Sequence, residues 1–260
     1  MLGIVFNRSP IMRKCFYIML DLLLIRAWHI KRSLRQIRNI LPDNAFVLDA
    51  GAGFGQYTYF MSKIGKSWQI KAVDVKSEQV EDCNRFFYKI NRNDRIRFEI
   101  ADLNTFCEPE QYHLVICIDV MEHISDDIAV FQNIHSSLKP GGILLVSTPS
   151  DLDSHHKSFI CEHVRDGYNV CELRNKLTQA GFTKVEVKYT YGLFGQISWI
   201  ISIKFPMMML NVTTLFFILL PFYYSVTFPV CLLFNLWDVC VEQKSGTGLN
   251  VCATKTQETH

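Results

Sequence analysis

Gly51, Gly53 and Gly55 fall within LDAGAGFGQ, residues 48–56, directly after a short apolar run. Such a turn leaves space for a ligand to lie against the backbone, and a helix that follows it offers free N–H groups. The turn departs from the dinucleotide fingerprint GxGxxG, because Gln56 stands where the third glycine belongs. That departure argues against a nicotinamide or flavin enzyme. Acidic residues then recur at the ends of further apolar runs: Asp74 in KAVDV, Asp102 in IADL, and Asp119 with Glu122 and His123 in CIDVMEHISD. A carboxylate at Asp74 can accept hydrogen bonds from both hydroxyls of a ribose. Any one of these acids is explained by a helix cap or a solvated loop. Four at successive run ends, counting Asp49 beside the glycines, point to one site.

The elements that must position them alternate. Phe46–Ala50, Ile70–Val75, Ile96–Ile100, Leu114–Val120 and Ile143–Thr148 are short runs rich in Val and Ile, separated by helical stretches such as Ser77–Asn91 and Ser125–Leu138. Continuous apolar strands separated by helices predict a parallel sheet covered on both faces. LKPGG, residues 138–142, reads as a turn that stops a helix and starts the fifth strand. Open sheets of this kind bind ligands beyond the carboxyl ends of their strands, where the glycine turn and the acids lie.

The set resembles the class I S-adenosylmethionine-dependent methyltransferases over roughly residues 45–190 and a short piece near 247–255. VLDAGAGFGQY is similar to that family's first motif, AVDV to its ribose-binding motif and IADL to its adenine-contacting motif. IDVMEHISD and LKPGGILLVSTP look like the fourth and fifth strands of the subgroup that includes quinone-biosynthesis methyltransferases. The resemblance implies an α/β fold: a Rossmann-like doubly wound seven-stranded sheet, mostly parallel, with an antiparallel last strand. It implies S-adenosyl-L-methionine as cofactor and no metal. By the same resemblance Asp49, Gly51, Gly53 and Gly55 hold the methionine part, Asp74 and Val75 the ribose, and Asp102 and Leu103 the adenine, with Asp119 near the methionine end. In-line transfer of a sulfonium methyl rests mainly on positioning and electrostatics. An oxygen acceptor also requires a general base. The candidates are His123 and the loop PSDLDSHHKSFICEHVRDGY, residues 149–168, with His163 and Arg165 preferred and His155 and His156 next.

Lys184–Thr190 and Gly248–Lys255 read as the closing antiparallel pair, so the residues between them must leave the sheet and return to the same side. That stretch contains TLFFILLPFYYSVTFPVCLLFNLW, residues 214–237, without a charge and with two prolines. Two full membrane spans need about 40 apolar residues, which strains the count here, and proline interrupts regular helices. A bent helical hairpin dipping into one leaflet is therefore the expectation, with Trp199, Trp237, Tyr223 and Tyr224 at the interface. A buried helical subdomain, a dimer interface and a full transmembrane hairpin are the alternatives.

Charge divides the chain in the same sense. Residues 1–40 carry a net +7 and residues 41–260 a net −5. Leu34, Ile37 and Leu41 recur at helical spacing and predict an amphipathic helix over about 10–40 with its basic side turned away. The apolar run near the start is interrupted by Asp21 and lacks a cleavage site, so no cleaved signal peptide is expected. Nine scattered cysteines without a CxxC pair read as reduced thiols. The expected organisation is a basic arm at 1–41, a methyltransferase domain at 42–191 with 247–256, and a membrane-associating insertion at 192–246. It sits on the cytoplasmic side of a membrane, with an anionic lipid surface as partner and a lipophilic or lipid-linked small molecule as acceptor. No nucleic acid partner is expected, since no NPPY-type stretch or basic–aromatic groove is present. An inactive cofactor-binding scaffold, or transfer to carbon or nitrogen, remains as an alternative.

Overall fold

The computed structural model describes residues 9–152, 164–213 and 215–256. Seven strands among them form one sheet of order β3-β2-β1-β4-β5-β7-β6. β1 (Phe46–Ala50), β2 (Gln69–Asp74), β3 (Ile96–Ile100), β4 (Tyr112–Ile118) and β5 (Leu138–Pro149) are parallel. β7 (Gly248–Thr254) lies between β5 and β6 (Lys184–Thr190), antiparallel to both. This is the doubly wound sheet the sequence predicts.

Alternate side chains of a strand point to opposite faces. Leu48, Val73, Val115 and Leu144 therefore enter one core while their neighbours Val47, Ala72, Leu114 and Leu145 enter the other. The first core is closed by α5 (Asp127–Ser137) and α6 (Val170–Gln179), which supply Val130, Phe131, Leu173 and Leu177. The second is closed by α2 (Ile25–Arg38) and α4 (Ser77–Lys89), which supply Ile30, Leu34, Ile37, Val80 and Phe87.

Three features differ from the sequence expectation. The basic arm is two helices, α1 (Pro10–Leu23) and α2, because Leu24 is extended at φ −97°, ψ 105°. The break lets the arm meet two surfaces that one straight helix of this length does not reach. The Ile30–Leu34–Ile37 stripe of α2 packs on the sheet, while buried Arg13 and Tyr17 of α1 both donate to the carbonyl of Phe54. Its charges largely meet partners within the chain: Lys31 pairs with Asp21, Arg38 with Asp43, and Arg32 donates to the Val239 carbonyl. Secondly, LKPGG belongs to β5 itself, whose register against β4 shifts between Tyr112 and Leu114.

The third difference concerns the prolines. α7 (Leu193–Val212) and α8 (Phe216–Cys240) form a helical hairpin between β6 and β7, and α8 continues through Pro221 and Pro229. Ile200–Lys204 is a π-helical turn within α7. The hydroxyls of Tyr223 and Tyr224 donate to the carbonyls of Ile201 and Ser202 in that turn, each at 2.7 Å. Neighbouring side chains that satisfy backbone groups in this way let apolar helices tolerate proline and irregular turns. The two tyrosines thus turn inward onto α7, and Trp199 faces a cavity at the hairpin base. Trp237 stays exposed and stacks on Phe194 at 4.7 Å. At the base, buried Asp238 accepts from Gly195 N at 3.0 Å and contacts His29 Nε2 at 2.8 Å, which ties the hairpin to α2.

Candidate active site

The chain leaves β1 through a turn whose first glycine admits no side chain. Gly51 has φ +79°, and a Cβ there would fall 2.3 Å from Val120 Cγ2. Gly53 and Gly55 are also left-handed, and Gly55 leads into α3 (Gln56–Ile64). The turn is pinned to β2: Gly51 N and Ala52 N donate to the Val73 carbonyl, and Gly53 N donates to Asp74 Oδ2 at 2.8 Å. Lys76 N donates to Asp74 Oδ1 at 2.9 Å. Two backbone donors therefore fix the orientation of the Asp74 carboxylate, and each charge-assisted bond of this kind is stronger than a neutral one.

A cleft of about 750 Å³ opens at the carboxyl ends of β1, β2, β3 and β4. Gly51, Gly53, Asp74, Val75, Asp102 and Leu103 line it. Asp119 and His123 line its far side, and Leu20 of α1 and Tyr57 of α3 also face it. Asp49 and Gly55 lie behind the lining. Asp49 is 2% exposed and accepts from Thr58 Oγ1 at 2.5 Å. Burial lifts the Asp49 carboxyl to about 7, against the pull of the Thr58 hydroxyl and with the help of Asp74. Its place is to brace the turn through α3. The donor set suits a ligand that carries amine, hydroxyl and aromatic parts. Carboxylates stand at three strand ends, Asp74 is held ready to accept, and Val75, 62% exposed, offers an apolar surface across from Leu103. S-adenosylmethionine has those parts.

A second cavity of about 140 Å³ lies beside the cleft, between the ends of β5, β6 and β7 and the base of the hairpin. Thr148, Thr190, Thr247, Tyr191, Gln196 and Trp199 are among its walls. Arg26 and Asp119 line both spaces and form an ion pair across the boundary. Burial opposes the charge on Arg26, but Asp119, with the Tyr57 and Tyr191 hydroxyls, outweighs it and holds the guanidinium protonated. Arg26, Tyr57 and the cavity escape sequence reasoning, since Arg26 is one of many basic residues in the arm and nothing local marks its partner.

The turn Met121–His123 follows β4 and carries two acid–base groups. His123 is exposed and lines the cleft. Glu122 is 1% exposed, accepts from Thr148 Oγ1 at 3.2 Å, and has its carboxyl pushed up by burial and then by Asp119. Arg165 sits elsewhere. It pairs with Asp127 and donates to the Ile124 carbonyl at 2.7 Å, in a cluster where Lys176 and the Tyr168 hydroxyl also reach Asp127. It lines neither cavity, and its position braces the segment around His123. His163, His155 and His156 lie outside the described residues. Among the described residues no group of three or more His, Cys, Asp or Glu is placed to hold a metal.

Residues 25–187 match the family profile described as a methyltransferase domain. A ubiquinone biosynthesis O-methyltransferase of Xanthomonas campestris pv. campestris is 29% identical over 113 residues, which are 43% of this chain and 45% of that protein. A phosphoethanolamine N-methyltransferase of Triticum aestivum is 28% identical over 144 residues, which are 54% of this chain and 28% of that one. The chain thus spans less than half the length of these curated relatives. Among solved structures, phosphoethanolamine N-methyltransferase 2 of Haemonchus contortus in complex with S-adenosyl-L-methionine superposes with a TM-score of 0.62 at 17% identity, over 88% of this chain and 53% of that one. With the profile covering well over half of its residues, the chain belongs to the methyltransferase-domain family.

Proposed function

We propose that the protein is an S-adenosylmethionine-dependent methyltransferase, held at the cytoplasmic side of a membrane by its hairpin, that methylates a hydroxyl of a lipophilic or lipid-linked acceptor. The observation that carries this reading is the shared boundary. Gln196 and Trp199 of the hairpin line a cavity that meets the large cleft at Asp119. A cofactor in the cleft supplies an electrophilic methyl group. The chain's own residues do the rest. The glycine turn receives the amino-acid end, Asp74 and Val75 the ribose, and Asp102 and Leu103 the adenine, with Asp49 bracing the turn. Asp119 offers a negative charge beside the reacting region. His123, on the cleft rim, or His163 takes the acceptor proton. Arg165 braces the segment that follows His123 through Asp127 and the Ile124 carbonyl.

Membrane attachment rests on the hairpin surface. Only 11% of the apolar window in α8 is buried, so α8 is not the core helix of a soluble domain. Its 25 residues reach about 37 Å at 1.5 Å per residue, and the 20 of α7 about 30 Å, enough to cross a hydrocarbon core of about 30 Å. We therefore treat 192–246 as the membrane unit, 42–191 with 247–256 as the catalytic unit, and 1–41 as the arm that clasps both. The free thiols suit a reducing compartment. The ubiquinone-biosynthesis relatives support an oxygen acceptor on a lipophilic molecule, and the phosphoethanolamine relatives make transfer to nitrogen the second reading.

The test has two parts. Purified protein is mixed with phosphatidylcholine–phosphatidylglycerol vesicles and floated on a density gradient. It is then incubated with radiolabelled S-adenosylmethionine and a membrane extract. Co-flotation and label in an organic-soluble, base-stable product are expected. Protein left in the aqueous fraction overturns the membrane reading, and label only in water-soluble products overturns the acceptor class.

A further inference from the structure

We propose that the cavity of about 140 Å³ beneath the hairpin base holds a compact head group of the acceptor bearing an oxyanion, with Arg26 as its counter-ion, while the acceptor's apolar chain leaves along the hairpin. This rests on the membrane-methyltransferase reading and narrows its substrate.

Size sets the first limit. A dry cavity of about 150 Å³ takes a single benzene ring. The space here thus suits one ring or one phosphate, and no nucleotide or peptide. The walls set the second. Thr190 and Thr247 offer hydroxyls on the sheet side, whereas Leu24 and Trp199 are apolar. Trp199 is followed along the hairpin by exposed Ile200 and Phe205, so the apolar side of the cavity continues onto the uncovered hairpin surface. A molecule with a polar head and an apolar chain matches that gradient.

Charge sets the third limit. Arg26 lines the cavity, and its Nε is buried without a hydrogen-bond partner. A guanidinium presents a planar fork of donors that matches a carboxylate or phosphate. Arg26 is paired with Asp119, which also faces the large cleft. A cation in that cleft competes for Asp119 and frees Arg26 for an anion on the cavity side. Anion binding in the cavity is then tighter when the cleft is filled by a ligand with an ammonium group.

Isothermal calorimetry on full-length, detergent-solubilised protein tests this, with decyl phosphate, decanoate and decanol as probes and S-adenosylhomocysteine either present or absent. Decyl phosphate or decanoate is expected to bind about tenfold or more tightly than decanol when S-adenosylhomocysteine is present, and more weakly without it. The preferred anion assigns the head as phosphate or carboxylate. Arg26→Gln is expected to erase the preference, and Thr247→Phe, which fills the cavity, to abolish probe binding with S-adenosylhomocysteine binding kept. Should Thr247→Phe lose both ligands, Trp199→Ala carries the test, with about tenfold weaker binding of all three probes expected and unchanged binding overturning the proposal. Equal binding of decanol overturns the oxyanion head and leaves the lipophilic acceptor standing. Undiminished probe binding in Thr247→Phe overturns the cavity assignment. Absence of probe binding while S-adenosylhomocysteine binds overturns the inference alone, because vesicle flotation decides membrane attachment separately.

Discussion

The sheet and the hairpin are built from similar residues and meet opposite fates. Val115, Ile116 and Cys117 of β4 are fully buried between two helical layers. On α8, Phe217, Phe222, Val226 and Leu233 each leave more than half of their surface uncovered. Burial of apolar surface contributes about 25 cal/mol per Å². In the sheet the chain supplies its own cover. In the hairpin the cover has to come from outside, from lipid or another apolar partner. The contrast is that apolar side chains fill the core in one region and lie on the surface in the other. The two meet at Arg26, Asp119 and Trp199, where the wall of the cleft and the base of the hairpin coincide.

The comparison breaks most sharply at Asp74. Asp74→Ala removes the carboxylate fixed by Gly53 N and Lys76 N and is expected to lower S-adenosylmethionine affinity by about 100-fold or more, since hydrogen bonds to a charged group are worth about 1.5–3 kcal/mol each. Calorimetry reads this, and co-flotation with vesicles should be unchanged. The reverse experiment replaces the hairpin, Leu193–Cys240, by a short Gly-Ser linker. Tyr191 O and Thr247 N already meet at 3.3 Å, so the sheet should close over the gap. Flotation is expected to vanish while cofactor affinity holds within about threefold, because no described residue of the hairpin lines the large cleft itself. A large loss of cofactor binding would show that the two regions do not separate.

Acid–base behaviour sharpens the sheet side. The Asp49 carboxyl titrates near 7 in the folded chain against an ordinary value of 3.8. The folded state thus binds a proton that the unfolded chain has already released, so stability falls as pH rises from about 4 to about 7. The full effect is about 4 kcal/mol, at roughly 1.4 kcal/mol for each pH unit of the gap. Thermal melts across that range should flatten in Asp49→Asn. The smallest expected effect lies at the joint. Asp238→Ala strips the buried acceptor from His29 and Gly195 N and should cost about 2 kcal/mol. His29→Ala should be non-additive with it in a double-mutant cycle. Simple additivity would mean that α2 does not clamp the hairpin.

Much of the sheet was legible because its signals are local. Apolar runs bounded by helical stretches locate β1 and β3 to the residue, and the pairing of β6 with β7 follows from the alternating segment Lys184–Thr190 and the short run at Gly248–Lys255. The glycine turn was legible for the same reason, since positive φ at Gly51, Gly53 and Gly55 is a property of single residues. What escaped depends on burial and on contacts between distant segments. Leu24 breaks the arm without a proline or glycine to announce it, because α1 and α2 follow different surfaces. The prolines of α8 did not end the helix, because α7 packs beside it. Arg165 joined the Asp127 cluster, a choice made by Lys176 and Tyr168 from another helix and loop.

By itself, then, the sequence determined the strand order's raw material, the turn, the acids beside it and the uncharged stretch. Each is written within a few consecutive residues, where backbone geometry and the period of side-chain exposure leave a direct trace. Only the tertiary structure decided that Arg26 of the arm faces Asp119 of β4's end, that Asp49 stands behind the cleft rather than in it, and that Trp199 of the hairpin closes a cavity next to the site. The pairing of a buried charge depends on which segments fold onto one another, and no spacing along the chain encodes that.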